Sequence, residues 1–306
     1  MSAKILVTGA SGILGQVLCP YLSKRGFEIV AAGHRSRPEG MPDHVQCITL
    51  ELQSRPSIET ALRLVQPDVV LHAAAMTSVA DCENKPESAR ETNVDGLESL
   101  LMMADTMGNP PHIVHLSTDL VYDGTLGQPY REEDPTSPLS VYGKTKVQAE
   151  HLLNGPAYPG LATIIRTALI LTPPNGFRPG VLDWTLETLE TGEGFFFEDE
   201  FRTPVFVQDL CKVLEQVIEQ GVGGLFHVGG QDRVSRLQLA EAAAKAFQVA
   251  SPKIRSARRD APELQDLVKL RPADVSLNSS RAVAILNHAP TPLDEGLRAM
   301  ARLQGV

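Results

Sequence analysis

The chain has 306 residues, enough for one large α/β unit, alone or with a smaller appended lobe. Its 28 basic and 37 acidic residues give a net charge of −9, which argues against nucleic acid as the main partner, since phosphate binding needs a basic footprint. No apolar run is long enough to span a membrane, and four scattered cysteines (Cys19, Cys47, Cys82, Cys211) form neither a metal knuckle nor a disulfide framework.

Few residues precede Ile5, which leaves no room for a targeting peptide, and a cytoplasmic location without a membrane partner is expected. Ile5, Leu6 and Val7 then form a short apolar run that leads into Thr8-Gly9-Ala10-Ser11-Gly12-Ile13-Leu14-Gly15. A buried strand feeding a glycine-rich turn and a helix presents free backbone N–H groups, and the positive end of a dipole, to a pyrophosphate. The spacing is G-x-x-G-x-x-G rather than G-x-G-x-x-G. An ordinary strand–helix turn would also accept three glycines, but a turn directly after an N-terminal strand favours dinucleotide binding.

The first helix is predicted over residues 12–24, with Val17, Leu18, Tyr21 and Leu22 inward and a kink at Pro20. Strand 2 is expected over 27–32. It ends in Gly33-His34-Arg35-Ser36-Arg37, where an NAD-binding protein carries an acidic residue for the ribose. A basic cluster there suits the extra phosphate of NADP; Arg35 is favoured for that contact, whereas Arg37 fits a solvated loop equally well. Strand 3 (45–50), a helix (57–65) and strand 4 (68–72) follow. The last opens onto Ala73-Ala74-Ala75, whose small side chains allow a ligand close to the backbone.

One amphipathic helix is predicted over 86–107. Asn93 inside it is either a solvated polar residue or a hydrogen-bonding contact to the active-site strand. Strand 5 (112–117) carries the loop 118–124 at its carboxyl end, where open parallel sheets place ligands. The acidic turn 131–135 reads as surface, and Ser140 caps a helix bearing Tyr142 and Lys146. This alternation implies an α/β doubly wound parallel sheet, a Rossmann fold, with right-handed crossovers.

Beyond it the pattern gives strand 6 (161–168), a helix (179–190) holding the single Trp184, and a short strand (195–197). A helix (208–219), a strand (224–228), a helix capped by Ser235 and running to 247, and helices near 279–286 and 292–302 complete it. Residues 1–168, joined by a strand near 224–229, would form the dinucleotide-binding domain. Residues 169–223 and 230–306 would form mainly a small C-terminal substrate-binding lobe.

The chemistry centres on Tyr142 and Lys146, four apart and so on one helix face at about 6 Å. A phenol titrates near pH 10, and a neighbouring ammonium would lower that value toward the working range. Thr118, at the end of strand 5, could bond the same substrate oxygen. Elsewhere His112 and His115 face opposite sides of a strand and cannot share a metal, so no metal site is expected. Cys211 reads as core, and Glu198-Asp199-Glu200 as solvated surface.

With these residues the chain resembles an extended short-chain dehydrogenase/reductase, and more narrowly the dTDP-4-dehydrorhamnose reductase family. The resemblance is carried by the glycine turn, Pro67 to Ala75 with Thr77, Ser117-Thr118-Asp119, and Tyr142-Gly143-Lys144-Thr145-Lys146 with Glu150. Arg166-Thr167, Thr203-Pro204, Asp209-Leu210 and Arg271-Pro272 extend it.

It implies Tyr142 as general acid, Lys146 as its partner and ribose contact, and Thr118 as the orienting hydroxyl. Gly9, Ser11, Gly12, Ile13, Leu14 and Gly15 would hold the pyrophosphate. His34, Arg35, Glu51 and Leu52 would meet the adenosine end. Ala73, Ala74, Ala75, Thr77, Asn93 and Ala168 would line the ribose and nicotinamide path, and Val79, Asp119, Leu120, Leu169 and Arg202 the substrate side. Leu169 stands near where the reductases place a Trp, and Leu120 where a Tyr is common, so flat aromatic surface is missing on that side.

The implied activity is NADP(H)-dependent reduction of a 4-keto nucleotide-sugar, with NAD(H) as an alternative cofactor and a homodimer left open. An epimerase or dehydratase with bound NAD is one rival. A non-catalytic, cofactor-binding regulatory subunit is another, because the regulatory β subunit of methionine adenosyltransferase is similar to the same reductases.

Overall fold

In the computed structural model, residues 3–305 are described except 35, 36, 39, 156, 157, 159, 175 and 177. The first half alternates strands and helices: β1 (Lys4–Thr8), α1 (Gly15–Lys24), β2 (Glu28–Gly33), β3 (Gln46–Thr49), α2 (Arg55–Val65), β4 (Val69–His72), α3 (Val79–Asn84), α4 (Pro86–Arg90), α5 (Gly96–Asp105), β5 (His112–Thr118), α6 (Val141–Asn154) and β6 (Ala162–Thr167). Shorter pieces follow: β7 (Ile170–Leu171), α7 (Val181–Thr191), β8 (Phe196–Phe197), β9 (Phe201–Arg202), β10 (Val205–Phe206), α8 (Val207–Gln220), β11 (Gly224–Val228), β12 (Val234–Ser235), α9 (Arg236–Ala246), β13 (Ser256–Ala257), α10 (Gln265–Val268), α11 (Ser280–Leu286) and α12 (Leu293–Leu303).

Seven parallel strands form the central sheet in the order β11-β6-β5-β4-β1-β2-β3. The chain winds outward from β1 in both directions, so the order reverses there and a crevice opens at the carboxyl ends of β1 and β4. Strand periodicity sorts the core. Ile5 and Val7 face one layer with Ile29, Ala31 and Leu71, under α1 and α8. Leu6 faces the other with Val30, Val70 and Ile113, under α2, α5 and α6. Burial on both faces explains why these strands read as unbroken apolar runs.

Most boundaries fall within a residue or two of the sequence reading, and three larger differences bear on the site. The first helix begins at Gly15, not residue 12, because the Gly12 N–H turns back to the Gly9 carbonyl at 2.9 Å. The helix expected over 86–107 is broken into α4, a π-turn over Glu91–Asp95, and α5. The segment assigned mainly to the lobe contains α8, whose Leu210, Val213, Leu214 and Val217 belong to the core beneath the sheet. The lobe has its own apolar centre, where Leu182 of α7, Leu239 of α9 and Leu297 of α12 meet Phe206.

Among the described residues no helix is long and apolar enough to cross a membrane. All four cysteines are free, and burial pushes the Cys211 thiol up to about 12, as befits a core side chain.

Four imidazoles, His72, His112, His115 and His227, are buried within the sheet. Burial holds them neutral: His72 and His227 are pushed down to about 3, His112 to about 4, and His115 lies well below its ordinary value. Below the ordinary imidazole value of 6.5 the unfolded chain takes up protons that the folded chain refuses. Stability is therefore present above that value and is lost as pH falls through the window beneath it. Asp119, raised by burial to about 6, acts with the opposite sign but is one group against four. Urea unfolding should show a clearly lower midpoint at about pH 5 than at about pH 7.5; equal midpoints would contradict the neutral burial of these rings.

Candidate active site

The site is built at the carboxyl edge of the sheet. Gly9, immediately after β1, has φ +72°, and a Cβ there would lie 2.7 Å from the Ala74 nitrogen. The turn and the end of β4 therefore approach backbone to backbone, as the Ala73 and Ala74 side chains permit. Thr8 stitches the two together: its carbonyl accepts from the Ala73 N–H and its hydroxyl from the Ala74 N–H, both at 3.3 Å. A Cβ on Gly15 would sit 2.5 Å from the Ala10 Cα, so α1 starts in contact with the turn. Leu14, at the N-cap, offers no side-chain cap to α1; the Gln16 and Val17 N–H groups already bond the Gly12 and Leu14 carbonyls, so the helix presents its dipole and the backbone of the preceding turn at this end. Leu14 itself is core, whereas Ser11, Gly12 and Ile13 are half-buried along the rim.

At the adenosine end, the Nδ1 of His34 lies 2.7 Å from the Glu51 carboxylate, both partly exposed. Arg35 lies outside the described residues. Arg37 donates to the carbonyls of Met41 and Pro42, so its guanidinium braces its own loop. Leu52 is buried in the core beside α2. Ala75 is half-buried and Thr77 exposed beyond β4.

Two residues expected to contact cofactor are placed otherwise. Asn93 is buried in the π-turn, and its carboxamide is spent on protein: Oδ1 accepts from the Met76 N–H at 2.8 Å, while Nδ2 donates to the Met76 carbonyl and the Thr145 hydroxyl, both at 3.0 Å. It shapes the segment after β4 and ties it to α6. Ala168 is buried against Val121 and Tyr122, where it serves packing.

Ser140 caps α6, accepting from the Gly143 N–H at 3.1 Å, and so sets Tyr142 and Lys146 in the first turns. Farther along, Glu150 pins the helix to the sheet. It accepts from the Ser117 hydroxyl at 2.5 Å and from Arg166 through Nε at 3.0 Å and Nη2 at 2.6 Å. Tyr142 is buried in a cluster with Cys82, Ala89, Val79 and Leu120, which brings two expected substrate-side residues against its ring. Thr118 lies close enough to act on the phenol's titration, while its one hydroxyl proton goes to Asp119 Oδ1 at 3.1 Å and its oxygen accepts from the Leu120 N–H at 3.2 Å.

The electrostatics differ from the expectation. Burial pushes the Tyr142 phenol well above its ordinary value, the Asp119 carboxylate adds to this, and the nearby Thr118 hydroxyl works against it. Lys146 does not lower it, because the ammonium is turned toward a different partner, the Nε2 of His115 at 3.0 Å. Burial in turn pushes Lys146 down to about 8, with Glu150 acting the other way.

On the substrate side, Asp119 Oδ2 is buried without a hydrogen-bond partner, 3.8 Å from the Nε of Arg202. Arg202 is itself buried, donating to the carbonyls of Phe201 and Pro272 and lying 3.4 Å from Glu200. Glu200, read from sequence as surface, is buried, because Arg271 reaches it through Nε at 2.8 Å. Glu132, in the other acidic turn read as surface, is also buried and accepts from the His227 N–H at 2.9 Å. Leu169 is half-buried, its carbonyl holding β10 through the Val205 N–H. Among the described residues no cluster of three or more His, Cys, Asp or Glu converges on a metal position.

Sequence reasoning missed His115 and Glu200. The available signal was a histidine in each of two apolar strands, since His72 and His115 are register partners in β4 and β5.

The description "RmlD substrate binding domain" matches residues 3–304. A solved structure described as a hypothetical dTDP-4-dehydrorhamnose reductase from Sulfolobus tokodaii is similar with 30% identity and a TM-score of 0.79, covering 95% of this chain and 98% of that one. A dTDP-4-dehydrorhamnose reductase from Bacillus anthracis, solved with NADP, shares the fold at 18% identity and a TM-score of 0.80, over 98% and 99% of the two chains. Among curated proteins, the methionine adenosyltransferase 2 subunit beta of Pongo abelii is 27% identical over 304 residues, 96% of this chain and 86% of the relative. The chain belongs to the RmlD substrate-binding domain family, on an extended short-chain dehydrogenase/reductase fold.

Proposed function

We propose that the chain is an NADP(H)-dependent reductase of a 4-keto nucleotide-sugar. One observation carries the reading: a buried phenol near the Thr118 hydroxyl, with a lysine one turn along its helix, stands at the same sheet edge as a helix N-terminus that has no side-chain cap. The site fits a dinucleotide, since the N-terminal end of the α1 dipole suits a pyrophosphate and the close backbone approach at Gly9 keeps side chains out of its path. His34 stands where an NAD-binding protein would carry an acid, which favours the phosphorylated cofactor.

NADPH, when bound, supplies the hydride to the keto carbon. Tyr142 supplies the proton. Burial keeps its phenol protonated before reaction, and an alkoxide developing on the substrate is a stronger base than a phenolate, so transfer runs toward the substrate. Thr118 orients the oxygen that receives this proton. Lys146, charged below about pH 8, would hold the cofactor's ribose, the contact that the family resemblance implies. Arg202, Arg236 and Arg271 surround the carboxylate of Glu200, with Asp119 a second carboxylate 3.8 Å from Arg202, and burial together with the other two guanidiniums pushes Arg236 down to about 10 against the pull of Glu200. That positive excess suits a diphosphate and supports a nucleotide-linked substrate.

A second reading, a cofactor-binding regulatory subunit, is favoured by the similarity to methionine adenosyltransferase 2 subunit beta and by aliphatic Leu120 and Leu169 on the substrate side. Capture of a stoichiometric enzyme partner, with no NADPH oxidation across the panel below, would select it.

The test follows absorbance of the reduced nicotinamide with NADPH or NADH and dTDP-, GDP- and UDP-linked 4-keto sugars. Turnover with NADPH is expected, and Tyr142→Phe should lower kcat by about 10²–10⁴-fold while NADPH binding persists. Undiminished turnover in Tyr142→Phe would refute the assignment.

A further inference from the structure

We propose that His115 is the positioning residue for Lys146: its neutral imidazole, fixed in β5, receives the lysine's ammonium through Nε2 and holds it under the site. This deepens the reductase reading and rests on it for its catalytic meaning, though not for its geometry. Both side chains are buried, and the contact between Nζ and Nε2 is 3.0 Å. An ammonium has only donors, so Nε2 must be the bare acceptor and the ring proton must sit on Nδ1.

The groups facing this ammonium come from three elements. His115 projects from β5 and His72 from β4, while Glu150 shares α6 with the lysine. Glu150 is already engaged by Arg166 and Ser117, so its charge is shared. The His72 ring stacks on His115 with centroids 5.3 Å apart, and its Nδ1 is 2.9 Å from the Thr8 hydroxyl. The imidazole that receives the lysine is thus braced by a second, which is anchored at the end of β1 beside the glycine turn.

The choice of a neutral acceptor matters. A carboxylate at this place would cancel the lysine's charge in an ion pair and hold its proton tightly. An apolar side chain would leave a buried ammonium unsatisfied and drive it to lose its proton. A neutral imidazole fixes the ammonium's direction and leaves its charge uncancelled. Burial pushes the lysine's titration down, Glu150 acts the other way, and the acceptor on His115 keeps the buried ammonium partnered.

Full-length protein labelled with ¹³C at lysine Cε, with the Lys146 signal assigned by its loss in Lys146→Met, tests this without any substrate. Lys146 should titrate near 8 in the wild type. His115→Phe, which fills the space without an acceptor, should lower the midpoint by about one unit or more, and His115→Gln, whose carboxamide oxygen accepts, should restore most of it. The alkaline limb of kcat should move with the midpoint while KM for the sugar nucleotide stays near its wild-type value. A folded His115→Phe with the wild-type midpoint would overturn the proposal. Should that variant not fold, ¹⁵N-histidine spectra of the wild type decide: the Nδ1–H tautomer at His115 supports it, and the Nε2–H tautomer overturns it. Absence of turnover together with a shifted midpoint would refute the reductase reading and leave the His115 contact standing.

Discussion

Burying an ammonium and a phenol on one helix is unfavourable, and the buried polar contacts that hold that helix in place organise this fold. Lys146 and Tyr142 are both buried on α6. Their helix cannot slide or roll, because Ser140 fixes its first turn and Glu150 is clamped by Ser117 on β5 and Arg166 on β6. Arg166 continues the clamp to the Tyr122 hydroxyl at 2.6 Å, which is 2.9 Å from the Nε2 of His227 on β11. Buried polar contacts therefore run from α6 across three neighbouring strands, each group partnered by another. Truncating one member would leave its partner buried and unsatisfied, and the position of the phenol would suffer with the stability.

The cofactor side follows from topology rather than from particular side chains. A reversal of strand order at β1 opens the crevice, and the turn after β1 meets the end of β4 through backbone alone. The sequence showed this part well. Apolar runs buried on both faces, a glycine turn after the first of them, and the Tyr142–Lys146 spacing are local patterns that survive folding unchanged.

Other features were hidden because they depend on partners distant in sequence. Asn93 looked like a polar residue inside one long helix; its carboxamide instead clamps Met76, seventeen positions earlier, across a π-turn. Glu200 and Glu132 sat in acidic runs that read as solvated, yet Arg271 lies 71 positions from the first and His227 lies 95 from the second. The direction of the phenol's shift also required coordinates. Helical spacing puts Lys146 on the same face as Tyr142, but only the structure shows the ammonium turned to His115 and the Asp119 carboxylate acting on the phenol.

The central claim is that this edge of the sheet passes a hydride to a keto carbon while Tyr142 protonates the oxygen. It is tested most directly by a single turnover with NADPH deuterated at the transferable position of its nicotinamide, with the product read by NMR. Deuterium is expected at the former carbonyl carbon of the sugar, on one face only. Product that forms without deuterium at that carbon, or cofactor oxidised with the sugar unchanged, would contradict the account.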